Sequence, residues 1–251
     1  MSEAQHISTV RFIDQLDRCF GHNDMKAARE CLQNWEAEAR RLEDDRGLLT
    51  VLNEAVGYYR RTQKRGKAMA AMEESLGLVE KLGLTESLSG ATVYINAATT
   101  RSFFGEEEAG LALYGQAAAC YEKNGRTETY EYAALLNNKA ATLYALKRYE
   151  EAEAGWRQAV DILKREGQHD GEIAISLVML AHLTFDRDDT AYDRVEPLLD
   201  QAWAYINSPR QPRDGNYAYI LRKCAPSFEY FQRPMEAQAL REVAKEIYSQ
   251  P

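Results

Sequence analysis

The side chains able to do chemistry are few and scattered. The histidines are His6, His22, His169 and His182, and no HExxH, GxSxG, GxGxxG or GxxxxGK pattern surrounds them or any serine. Distance along a chain does not by itself forbid a triad in space. Yet no group of residues has a nucleophile, base and orienting partner at a recognisable spacing, so no catalytic residue is assigned and a non-enzyme is expected. The cysteines are Cys19, Cys31, Cys120 and Cys224; the nearest two are twelve apart and none forms CxxC. That spacing suits neither a zinc site nor a disulfide framework, and no metal or cofactor is expected. Asp186, Asp188, Asp189, Asp193 and Glu196 are grouped like a calcium loop but lack its turn glycine and its spacing. The basic run Arg60, Arg61, Lys64, Arg65 and Lys67 stands out in a chain of net charge −8. It has two readings, complementation of a helix carbonyl end or a dock for an acidic peptide.

Composition sets the class. The 251 residues are 45% hydrophobic and 28% charged, which is a foldable, soluble balance. A net charge of −8 argues against nucleic acid as a partner. The start, MSEAQHISTVRF, is not a signal peptide, and the mostly apolar stretch from Ile173 to Phe185 is too short to span a bilayer. A cytoplasmic protein without a membrane partner is expected.

Helical spacing runs through the whole chain, and strand signals are nearly absent. All six prolines fall after position 196. A shift of 42 residues superposes three segments without a gap. Leu52, Tyr94 and Leu136 align, as do Val56, Ala98 and Ala140; Ala68, Gly110 and Ala152; Met72, Tyr114 and Trp156; and Ser75, Ala117 and Ala159. Gly83, Gly125 and Gly167 close the register after a basic residue, as a helix end requires. Thr85 and Thr127 are candidate N-caps for the helices that follow, and turns are expected near Gly66, Gly105 and Arg148. Each unit therefore reads as two helices and a tight turn.

The spacing large–x3–small–x11–small–x3–large–x2–small resembles the tetratricopeptide repeat. Leu135 to Leu163 is the clearest match, with Leu136, Ala140, Leu143, Tyr149, Ala152, Trp156 and Ala159 at the signature places. The 42-residue period, longer than the usual repeat of about 34, resembles the kinesin-light-chain-like subgroup. The resemblance implies an all-α, right-handed α-solenoid of about six hairpins, about twelve helices, in one superhelical domain. Its units would run roughly 8–44, 46–86, 88–128, 130–168, 171–208 and 214–250. Gly110 and Val195 stand where the motif usually has alanine, Pro226 should kink the eleventh helix, and Ser208 to Gly215 is the longest loop.

The resemblance further implies that the first helix of each pair lines a concave groove. Its candidate partner-binding residues are Asn53, Arg60 and Arg61; then Asn96, Thr99 and Phe103; then Asn137, Asn138 and Tyr144; then His182 and Arg222. Gly57, Ile95, Ser102, Ala141, Val178, Phe185 and Glu229 flank them. Asn96 and Asn138 share one repeat register, and an asparagine amide suits either a ligand backbone or the neighbouring helix. The carboxylate-clamp pattern of chaperone-binding members is not recognisable. The expected function is a protein–protein interaction module, an adaptor or scaffold holding a partner peptide or helix, acidic if the basic run docks it. The alternative is a sensor of a signalling peptide or small ligand acting through a separate effector. Self-association through the terminal hairpins would involve Trp35, Ile247 and Tyr248.

Overall fold

The computed structural model describes residues 5–249. Twelve α-helices, and no strand, make up its regular structure among the described residues. They are α1 (Thr9–Gly21), α2 (Met25–Arg41), α3 (Asp45–Arg61), α4 (Arg65–Lys81), α5 (Leu88–Phe103) and α6 (Glu107–Lys123), followed by α7 (Tyr130–Ala145), α8 (Tyr149–Glu166), α9 (Asp170–Arg187), α10 (Tyr192–Ile206), α11 (Gly215–Tyr230) and α12 (Pro234–Ser249). The chain divides into two compact units. One holds the residues up to Phe20 with Asp24–Arg126; the other holds Gly21–Asn23 and Thr127 onward.

Within each unit consecutive helices pair as hairpins, α3 with α4 and α5 with α6 in the first, and α7 with α8, α9 with α10 and α11 with α12 in the second. The N-terminal pair is joined by Trp35, whose Nε1 donates to Gln15 at 2.8 Å and whose ring leans on Phe12 at 6.1 Å. The small residues of the repeat are where two helices touch. Ala68, Ala98, Ala140, Ala152, Ala181, Ala225 and Ala237 are all buried, and Met72, Tyr114 and Trp156 fill the space between them. The distance between two packed helices is set by the side chains at their contact, and small ones let the backbones come close. Gly110 shows how tight this is. A Cβ there would lie 2.2 Å from Ser102 Oγ and 2.9 Å from the Ala98 carbonyl oxygen, so even alanine is too large.

The turns keep the repeat register but not always its glycines. Gly83, Gly125 and Gly167 all have positive φ, as expected for helix ends, and so does Gly105 between α5 and α6. Between α3 and α4 the left-handed residue is Gln63, with φ of 57°, and Gly66 lies inside α4. Between α7 and α8 it is Lys147, with φ of 58°, next to the expected Arg148. The N-caps also shift. Ser87 and Thr129, rather than Thr85 and Thr127, accept from Gly90 N and Tyr132 N. A cap hydroxyl must sit three residues before the N–H that it takes, and the turn residues push that place two positions along. α11 remains helical through Pro226. The loop before it is tied down by Arg210, which forks onto the buried Asp170 at the start of α9 at 2.7 and 3.2 Å.

Candidate functional site

In the first unit the first-helix face is made by α3 and α5. Aspartate and serine caps fix where each helix starts: Asp44 accepts from Gly47 N, and Ser87 from Gly90 N. The resulting phase turns Asn53 inward, where it is only 9% exposed. Asn96 Nδ2 donates to Asn53 Oδ1 at 2.9 Å. Arg60 Nη1 donates to Thr100 Oγ1 at 3.0 Å and to the Asn96 carbonyl at 3.4 Å. Thr100 Oγ1 in turn donates to that same carbonyl at 2.8 Å. These residues form one network that ties α3 to α5. Glu54 lies beside it. Burial pushes its carboxyl above the usual carboxylate range, the nearby Asp17 adds to this, and Arg60 opposes it. Thr99 is also engaged, its hydroxyl bonding the Ile95 carbonyl at 2.7 Å and meeting Tyr114 OH at 2.8 Å. Phe103 is different. It is 53% exposed and touches the Phe104 ring edge-on at 5.0 Å.

The basic run is largely satisfied inside this unit. Arg60 and Arg61 fall in the last turn of α3, where cations complement the carbonyl end. Arg61 lies over the Phe20 ring at 5.7 Å, Lys67 over Tyr59 at 5.5 Å, and Arg65 over Phe104 at 6.0 Å. Arg65 also pairs with Glu106 at 2.8 Å. These contacts give the run a structural employment that the sequence leaves open.

In the second unit the same face is built from α7, α9 and α11, and again polar groups bridge neighbouring first helices. Ser176 Oγ donates to Asn137 Oδ1 at 2.8 Å. Tyr144 OH donates to Asp186, and its phenol is held well above its ordinary range by burial and by that carboxylate. His182 Nε2 meets Ser227 Oγ at 3.0 Å. Its ring packs against Tyr230 at 5.1 Å and Phe231 at 4.8 Å, and burial lowers its pKa against the pull of Asp186. Asn138 stands apart. Its carbonyl accepts from Thr142, but among the described residues its side-chain amide has no partner. Val178 is buried and Phe185 half-buried, whereas Arg222 is exposed and stacks on Tyr248 at 6.0 Å.

The His182–Ser227 pair is the one constellation with the form of a nucleophile and base. Ser227 lies inside α11, whose backbone N–H groups serve its own helix, and Asp186 is engaged by Tyr144. An oxyanion needs backbone donors aimed at it, which a helix interior does not supply. The acidic group is likewise engaged: Asp188 accepts from Thr190 and pairs with Arg194 at 2.7 Å.

Thr100, Ser176, Ser227 and Asp186 were not among the residues that the sequence marked for this face. The first three are small hydroxyl residues on first helices, and that is the signal which could have found them. Two hollows lie on second helices. One of about 560 Å3, between α4 and α6, holds Tyr94, Gln116, Cys120 and the Lys123–Glu86 pair. The other, about 610 Å3, is crossed by the Glu153 pairs to Arg157 and Arg187. No described helix is long and apolar enough to cross a membrane.

No family model matches the chain, and no curated protein matches it by sequence. Solved structures do match. BtubC (BKLC) from P. vanneervenii is 17% identical with a TM-score of 0.58, over 96% of this chain and 91% of that one. A putative kinesin light chain with nearly identical TPR-like repeats from Podosopora anserina is 19% identical with a TM-score of 0.56, over 79% of this chain and 94% of that one. A Rap protein complexed with Competence and Sporulation Factor is 16% identical with a TM-score of 0.61, over 97% of this chain and 76% of that one. These likenesses establish the fold: helical hairpin repeats of the tetratricopeptide type.

Proposed function

We propose that this tetratricopeptide-type fold serves as a non-enzymatic interaction module that holds a partner peptide on the first-helix face, with Asn138 as a backbone-reading residue. The observation that carries this is the unpartnered Asn138 amide on a face where the neighbouring polar groups are engaged. Asn96, in the same repeat register, is tied to Asn53, whereas the Asn138 amide bonds nothing among the described residues. An amide offers two donors and an acceptor, which match an extended peptide backbone. Asn53, Arg60, Asn96 and Asn137 act in this reading as the frame of the face rather than as its contacts.

A reading as a sensor of a signalling peptide has one support, the Rap protein of the same fold whose structure contains Competence and Sporulation Factor. Both readings put a peptide on this chain. The test is selection from a displayed random-peptide library, followed by binding to Asn138→Ala. Loss of at least about ten-fold in affinity (~1.4 kcal/mol) with unchanged stability supports the module; unchanged affinity removes Asn138 from it.

A further inference from the structure

The α11–α12 hairpin carries three cations around one hollow of about 430 Å3. Arg222 comes from α11 and Arg241 and Lys245 from α12, with Tyr248 and Ser249 completing the wall. That volume lies in the range of ligand sites. Arg241 and Lys245 are one helical turn apart, a spacing at which like charges oppose helix formation. Arg241 is relieved by Glu229. Arg222 and Lys245 have no carboxylate within ion-pair reach among the described residues. Glu242, beside them on α12, accepts instead from Gln238 at 2.8 Å.

The hollow is also held in shape. Tyr248 donates its hydroxyl to the Gly215 carbonyl at 3.3 Å, and Arg222 lies over its ring at 6.0 Å. Stacking on an aromatic face orients a guanidinium and leaves its edge free to fork onto a carboxylate. Lys245 acts beside it as a point charge. The lining runs from Arg241 to Ser249, two helical turns or roughly 12 Å, which is longer than one small anion needs.

We propose that this hollow is a binding site for the carboxylate side chains of an acidic peptide segment, with Arg222 and Lys245 as its anion-holding residues and Tyr248 as its wall. It shares Arg222 with the first-helix residues but does not need the Asn138 reading, since Asn138 does not line it.

The probe is a fluorescein-labelled octaglutamate peptide, titrated with the full chain and read by anisotropy. The expected result is saturable binding that weakens as salt rises and falls at least about ten-fold in Arg222→Ala, Lys245→Ala. A control pair, Lys26→Ala, Lys64→Ala, makes the same change in net charge on the other unit and should leave binding unaltered. Arg222→Gln, Lys245→Gln keeps longer polar stems and should reproduce the loss if the alanine pair loses helicity. No saturable binding, full binding in both substituted pairs at 222 and 245, or an equal loss in the control pair would overturn the proposal. So would displacement of the peptide by inorganic phosphate at a concentration equal to the peptide's own Kd, which would mark a small-anion site.

Discussion

Asn96 donates an amide N–H to the Oδ1 of Asn53 at 2.9 Å, joining α5 to α3, while Asn138 in the same repeat register keeps its amide unpartnered. One residue type at one register therefore does two things: Asn96 meets an acceptor in Asn53, and Asn138 bonds nothing among the described residues. Asn53→Ala and Asn96→Ala should each destabilise by about 1–2 kcal/mol, with a coupling of about 1 kcal/mol in the double-mutant cycle. Asn138→Ala should cost less than about 0.5 kcal/mol. Urea unfolding measures all of them.

Two glycines of α6 should respond in opposite directions. Gly110→Ala drives a methyl into Ser102 and the Ala98 carbonyl and should destabilise by about 1–3 kcal/mol. Gly115, on the same helix, has nothing within 4 Å of a built Cβ. Gly115→Ala should stabilise by about 0.5–1 kcal/mol through the unfolded chain. Thermal melts of the two variants check both signs.

The repeat was legible because its small residues are dictated by backbone approach, and Ala98, Ala140 and Ala152 announce that directly. The helix ends at Gly83, Gly125 and Gly167 were legible for the same reason, since positive φ favours glycine. Gln63 and Lys147 were not, because they take the left-handed conformation without being the residue that favours it. The site was read less well than the fold. Helical spacing gives the face on which Asn53, Arg60 and Asn96 lie, but helix packing decides whether they meet solvent or each other. The Arg60 bond to Thr100 depends on the rotation of α3 against α5, which no local pattern encodes.

His182 makes stability pH-dependent. Its folded pKa is lowered from 6.5, so below that pH the unfolded chain binds a proton that the folded chain resists. Stability is therefore present above about pH 6.5 and declines as pH falls towards the folded pKa. His182→Gln should show a smaller decline between about pH 7 and pH 5.5 than the parent. Urea midpoints at the two pH values give the comparison, which rests on slopes and is insensitive to the lost Ser227 bond.

The thiols should divide by burial. Cys224 is pushed up to about 12, and Cys120 is buried and raised, with desolvation the first cause in both. Cys19 and Cys31 are raised as well but partly exposed. Native alkylation at about pH 8 should label Cys19 and Cys31, with Cys120 and Cys224 reacting only after denaturation. Peptide mapping by mass spectrometry locates the labels.

The claim that the first-helix face holds a peptide is tested most directly by photo-crosslinking. A benzophenone side chain is placed at Ala141, exposed on α7 one turn from Asn138, and separately at Gln116, exposed on α6. Each full-length variant is irradiated with the library-selected peptide. The account predicts a peptide adduct at 141, lost when Asn138→Ala is added, and none at 116. Adducts confined to 116, or equal adducts at both positions, would contradict it.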